Sequence, residues 1–247
     1  MKLAVLSVTA VALVAASPAG GALERQRPLK LRETCVTRAE RNHVVRFRAS
    51  DGVRLIGVQL GRGPRVVILA HQGAANLCIW LPYGRALAAH GYRVLVFDHR
   101  SRGSSGGASH WRRLNRVDYD VIGAVRIMRA RGATSVVLGG ASLGGAAVLS
   151  AAALVTPPVD GVISFASPSQ YALVDALAAV ESFRVPALFL AAEGDGEFPE
   201  VARMLYDRCA SSDKQLSIFP GAEHGVPVLR DPQVRATVDD FITRHSR

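Results

Sequence analysis

The chain has 247 residues, 49% of them hydrophobic and 20% charged, with a formal net charge of +10. That apolar content can offset chain entropy, which excludes a disordered or fibrous chain, and the length suits one α/β domain better than two small ones. Only Lys2, Lys30 and Lys214 among the 30 basic residues are lysines, and the arginines are spread without interleaved aromatics, so no specific nucleic-acid surface is indicated; loose association with an anionic envelope, or acidic substrates, would suit the charge.

Met1-Lys2, the uncharged run 3–16 and the small residues 17–22 have the charged start, apolar middle and small-residue exit of a secretory signal peptide over residues 1–22. The run is shorter than the ~18 residues needed to span a bilayer, so no stable membrane insertion is expected once it is removed, and the expected location is secreted, periplasmic or cell-envelope. An uncleaved N-terminal anchor is the alternative. Three cysteines permit at most one internal bridge. Cys35 with Cys78 is the candidate, because both flank loops near the front of the domain while Cys209 falls in a helical pattern. Buried free thiols are the competing reading. No spacing resembles a metal site.

Residues 23–42 are polar and arginine-rich and read as a segment wrapping the surface of a single domain over 43–247. Strands are predicted at 43–49 and 53–60 around Asp51-Gly52, a two-residue hairpin signal that makes this pair antiparallel. Residues 65–71 form a third strand whose run Val66-Val67-Ile68-Leu69-Ala70 lacks alternation, as suits a strand covered on both faces. A helix at 79–90, a strand at 93–97 and a helix at 117–131 follow, the last with Val117, Val121, Val125 and Met128 on one face. Strand 135–139 then leads into helix 143–153. Strand 161–166, helix 171–181, strand 186–192, helix 200–209 and strand 215–219 continue the alternation. A final helix starts at Asp231-Pro232, with Asp231 as its N-cap. A hairpin followed by strand–helix repeats implies a mostly parallel eight-stranded sheet with helices on both faces, and sites in such sheets lie at the carboxyl ends of the strands.

The segment Gly140-Ala141-Ser142-Leu143-Gly144 is a G-x-S-x-G between a predicted strand and a predicted helix. That context puts Ser142 on a sharp turn, with glycines where strand and helix leave no room for a Cβ. Gly103-Ser104-Ser105-Gly106-Gly107 also contains the pattern, but neither a strand precedes it nor a helix follows. A serine hydroxyl needs a base, and the base needs a carboxylate to orient it. His224 lies just past the last strand and Asp195 just past the one before, on the same edge as Ser142, with Glu193 and Glu197 as alternatives for the acid. His71, His99 and His110 are expected to shape loops. No cofactor is expected: G-x-G-x-x-G and Gly-Lys-Ser/Thr are both absent, and no metal is implied.

The order Ser142, Asp195, His224 resembles that of α/β-hydrolase-fold serine hydrolases, in particular small lidless dienelactone hydrolase-like and esterase members. The resemblance covers about residues 43–246. Leu69-Ala70-His71-Gln72-Gly73 with Trp80 is similar to the family's His-Gly oxyanion loop, and residues 98–105 to its D-x-R-G-x-G-x-S loop, where the resemblance suggests a structural ion pair for Asp98. It implies an oxyanion hole from the N–H of Leu143 and one of Gly73 or Gln72; Gln72 and Ser101 depart from the family's glycines. Only about 19 residues separate strand 161–166 from strand 186–192, where the family's lids are inserted, so no sizeable lid is expected. The implied activity is hydrolysis of carboxylic esters with short acyl groups, or at a polymer surface. The same triad serves thioesters, lactones, amides or acyl transfer, and a non-catalytic hydrolase-fold binding protein is the rival class.

Overall fold

The computed structural model describes residues 28–107 and 115–246. The proposed signal peptide, residues 23–27 of the surface segment and His110 lie outside them. Eight strands form one sheet in the order β1-β2-β4-β3-β5-β6-β9-β10, with β1 Val44–Arg48, β2 Arg54–Leu60, β3 Arg65–Ala70, β4 Arg93–Asp98, β5 Ser135–Ala141, β6 Gly161–Phe165, β9 Ala187–Ala192 and β10 Lys214–Phe219. β2 runs antiparallel to both its neighbours, β1 and β4, and the pairs from β4 through β3, β5, β6 and β9 to β10 are all parallel. A separate ribbon pairs β7 Gln170–Tyr171 with β8 Val174–Asp175.

The unbroken apolar runs follow from double coverage. On β3, Val66 and Ile68 point into one core with α2 Asp118–Ala130, α3 Leu143–Leu154 and α4 Ala176–Ser182, while Val67 and Leu69 point into the other with α1 Leu81–Ala89 and α6 Pro232–His245. Both faces are therefore dry, and every position on β4, β5, β6 and β9 is buried. The remaining helix, α5 Phe198–Arg208, packs beside β9 on the first face. α3 is buried from Leu143 through Ala152, a helix with no solvent face, as its small apolar sequence requires.

Three local expectations are corrected. The β1–β2 turn has three residues, not two: Ala49 N–H donates to Val53 O at 2.8 Å and Gly52 N–H to Ala49 O at 2.9 Å. Only Gly52 has positive φ there, and a two-residue type I′ loop needs two such residues. The helix predicted from residue 79 begins as a 3-10 turn over Leu77–Trp80, capped by Asn76, and becomes α-helical at Leu81, with Pro82 in the first turn where its missing N–H costs nothing. The helix predicted over 171–181 is preceded by the β7–β8 ribbon, because Asp175 accepts from Ala178 N–H and so caps α4, which starts five residues later than expected.

Ahead of β1, the segment from residue 28 lies along the domain and is bonded to it. Cys35 and Cys78 form a disulfide with Cα atoms 5.7 Å apart, and Cys209 is a buried free thiol.

The β5–α3 junction is the tightest crossing in the fold. A Cβ on Gly140 would sit 2.1 Å from Gly144 O, and one on Gly144 would sit 2.3 Å from Ala70 O, all backbone atoms with nowhere to go. Gly144→Ala is expected to destabilise the protein by about 3 kcal/mol, read as a lowered urea midpoint; a midpoint within error of wild type would show that the junction relaxes freely.

Candidate active site

β5 ends at Ala141 and α3 starts at Leu143, so Ser142 alone makes the turn. It has φ 51° and ψ −120°, a conformation that costs a serine roughly 1–2 kcal/mol. The turn is held from both sides: Ser142 N–H donates to Phe165 O on β6 at 2.8 Å, and Ser142 O accepts from Ala146 N–H at 3.1 Å as the first bond of α3. The serine is half-buried at the carboxyl edge of the sheet. Behind it the first N–H groups of α3, Leu143 among them, have no partner within the helix and carry its positive pole.

Asp195 follows β9 and His224 follows β10, and the two loops meet. His224 Nδ1 lies 2.8 Å from Asp195 Oδ2, with Asp195 only 8% exposed and His224 half-buried. A carboxylate there accepts a hydrogen bond from Nδ1–H, which leaves Nε2 as the acceptor of the neutral ring. The Phe198 ring packs against the imidazole at 4.5 Å between centroids. The alternative acids Glu193 and Glu197 are exposed and neither bonds His224.

The loop after β3 supplies the third side. The Cβ position of Gly73 is 3.9 Å from a Leu143 methyl, so Gly73 stands beside the start of α3. Gln72 has another task. Its Oε1 accepts from Val226 N–H at 3.0 Å, tying this loop to the one that carries His224. Its main-chain oxygen accepts from Ala75 N–H at 3.1 Å and pairs with His71 Nδ1 at 2.8 Å. Glutamine in place of the resembled glycine therefore acts as a clamp, a role with no local sequence signal.

His71 and His99 are buried, as loop-shaping residues should be. Burial first, with the His99 ring and the Arg102 guanidinium nearby, brings the His71 pKa down to about 3, so this ring stays neutral. The second G-x-S-x-G is structural. Ser104 Oγ donates to Glu33 and Ser105 Oγ to Asp98 O.

Asp98 corrects an expectation. Among the described residues it has no arginine partner; its oxygens accept from Leu77 N–H and Ser104 N–H, both at 2.8 Å, and the Glu33 carboxyl stands beside it. Arg100 is drawn elsewhere, to Asp120 at 2.7 Å and to Asp51 at 2.9 Å through two nitrogens. Burial first, and the neighbouring Glu33 second, push Asp98 up to about 7. Glu33 moves the other way: burial opposes its ionisation, but the Ser104 hydroxyl and nearby backbone N–H groups outweigh it.

Two cavities flank the site. The larger, about 540 Å³, is an apolar groove between α1 and residues 226–235 that includes none of Ser142, Asp195 and His224. A polar cleft of about 230 Å³ is bordered by Gly73 and Leu143. Among the described residues, no three His, Cys, Asp or Glu side chains gather to hold a metal ion.

A family model described as the alpha/beta hydrolase fold matches residues 65–183. This chain has the α/β-hydrolase fold. Among solved α/β-hydrolase structures, the Pyrococcus furiosus esterase Pf2001 is similar at 17% identity and TM-score 0.69, covering 83% of this chain and 92% of its own. The Rhodococcus sp. ECU1013 esterase RhEst1 is similar at 17% identity and TM-score 0.68, with 82% and 99% covered. The Paleococcus ferrophilus monoacylglycerol lipase is similar at 18% identity and TM-score 0.63, with 76% and 98% covered. A search of curated protein sequences returns no match. As in an α/β-hydrolase without a sizeable lid, only the β7–β8 ribbon and α4 lie between β6 and β9.

The buried carboxyl pair makes stability depend on pH. Asp98 is raised above its unfolded value, so the folded state holds the extra proton, and its contribution is complete below about pH 4 and lost as pH rises through about 7. Buried His71, lowered to about 3, acts in the opposite direction as pH rises toward 6.5, so the share of Asp98 is read as a difference: between pH 4 and 7 the Tm of Asp98→Asn should climb more, or fall less, than that of wild type. Equal slopes in the two proteins would show that Asp98 contributes nothing to the pH dependence.

Proposed function

We propose that this chain is a serine hydrolase cleaving carboxylic esters, with Ser142 as nucleophile, His224 as general base and acid, and Asp195 as the residue that orients His224. The observation that carries the reading is the 2.8 Å contact of His224 Nδ1 with buried Asp195, made between two loops at the edge where Ser142 is held in a strained turn. His224 Nε2 takes the Ser142 hydroxyl proton as Oγ attacks the ester carbonyl. The resulting oxyanion is met by the N–H groups of Leu143 and Gly73, a pair of donors worth a few kcal/mol at the transition state. Collapse expels the alcohol, which leaves with the proton from His224. Water, activated by the same base, then attacks the acyl-enzyme and releases the acid with Ser142 restored.

A fluorophosphonate probe is expected to label the protein, and Ser142→Ala to abolish labelling, while Ser104→Ala and Ser105→Ala retain it. His224→Ala should slow labelling by about a thousandfold or more. Label that persists in Ser142→Ala would overturn the assignment.

The open edge between β6 and β9 supports a preference for short acyl groups or a polymer surface. In a p-nitrophenyl series, kcat/KM should favour acetate or butyrate over decanoate and longer esters. A clear optimum at long chains would end that part of the reading. Export beyond the cytosol is our reading of residues 1–22, and the Cys35–Cys78 disulfide supports it, since such bonds persist in oxidising compartments.

A further inference from the structure

The loop that carries His224 is thinly held. Among the described residues, two polar bonds tie residues 223–226 to distant parts of the chain, His224 Nδ1 to Asp195 and Val226 N–H to Gln72 Oε1. Asp195 and the Phe198 ring hold the imidazole itself, but only the second bond grips the main chain of the loop. Its surroundings are shaped to admit it. Gly225 has φ 72°, and a Cβ there would lie 2.5 Å from Gln72 Oε1 and 3.4 Å from the Cβ of Ala141, the residue before Ser142. The glutamine amide therefore fills the space that a side chain at 225 would take, beside the serine turn. Val226 is buried, so without that oxygen its N–H would lose its one partner among the described residues. Gln72 is itself fixed from behind. His71 Nε2 accepts from His99 N–H at 3.1 Å, so in the neutral ring the proton sits on Nδ1 and is donated to Gln72 O at 2.8 Å. Burial keeps that ring neutral, and Ala75 N–H donates to the same carbonyl at 3.1 Å.

We propose that Gln72 is a positioning residue for the reaction: its side-chain oxygen, acting through Val226 N–H, sets where His224 stands relative to Ser142. The proposal rests on the hydrolase reading above. It gives the departure from the resembled glycine a part in the chemistry, since a glycine at 72 has no oxygen to offer Val226. The side chain needs no contact with substrate for this. What it supplies is one acceptor at one place, held by its carbonyl to the exit of β3 and by its amide to the histidine loop. Geometry of this kind acts on the rate of the chemical step, because a general base displaced by about 1 Å can cost a hundredfold.

The test compares Gln72→Met, which keeps the length of the side chain and removes the acceptor, with Gln72→Glu, which keeps an acceptor oxygen. On p-nitrophenyl butyrate, kcat of Gln72→Met should fall by about thirtyfold or more while KM changes by less than about threefold. Gln72→Glu should stay within about fivefold of wild type. A loss seen in KM alone, equal losses in the two variants, or a kcat of Gln72→Met within about threefold of wild type would overturn the proposal. Gly225→Ala approaches the same contact from the other loop and decides the matter if Gln72→Met fails to fold. Its loss in kcat should be smaller when made in Gln72→Gly than in wild type, because the opposing oxygen is gone, and equal losses in the two backgrounds would rule the contact out. A readout independent of turnover comes from nitrogen NMR at about pH 9, where imidazole is ordinarily neutral. There the ring resonances of His224 should shift or broaden in Gln72→Met, and resonances identical to those of wild type would overturn the proposal. If the wild type hydrolyses no ester, the hydrolase reading fails, and the NMR comparison alone decides whether Gln72 sets the place of His224.

Discussion

The close approach of β5 and α3 at Gly140 and Gly144 is the constraint on which the site depends. Backbone meets backbone there with no space for a methyl group, so the chain must reverse within one residue, and that residue is Ser142. The strain at its positive φ is held by burial on all sides of α3 and by the bond to Phe165 O. The same crossing presses α3 against the end of β3, where Ala70 O lies beside Gly144. The loop leaving β3 therefore emerges next to Leu143, so one contact sets both the serine and the neighbour expected to stabilise charge.

The rest of the edge is assembled from loops that lack regular structure of their own, and each is tied to another by a polar bond. Gln72 holds the histidine loop, Asp98 holds the turn at Leu77, and Arg100 joins the β4 exit to Asp51 and Asp120. Such buried bonds are directional and costly to leave half-made, which suits them to fixing loops with few apolar contacts. The parallel strands bring the loops to one edge; these bonds then set where each side chain stands.

The pattern of residues carried the strands well, because a strand buried on both faces needs an unbroken apolar run and little else can produce one. Ser142, Asp195 and His224 were legible for a related reason: each follows a parallel strand, so position in the chain translated into position on the edge. Long-range polar partners were not legible. Gln72 and Val226 are 154 residues apart, and neither has a neighbour that signals the other. The arginine expected for Asp98 failed because Arg100 finds acids 49 and 20 residues away, while Asp98 takes two N–H groups beside a second carboxyl. Even the start of α4 was displaced by a local contest, in which the Asp175 cap won over the apolar pattern before it.

The stretch ahead of β1 bears on where the folding unit begins. Arg41 reaches back to the carbonyls of Leu31 and Glu33, Glu33 grips Ser104 beside Asp98, and Cys35 is bonded to Cys78 in the turn that follows Gly73. A truncation at residue 43 would keep every strand of the main sheet and α1 to α6, yet it would cut three fastenings of the loops behind the serine. By strand content the unit starts at β1; by the bonds that hold its working edge, it starts upstream of Leu31.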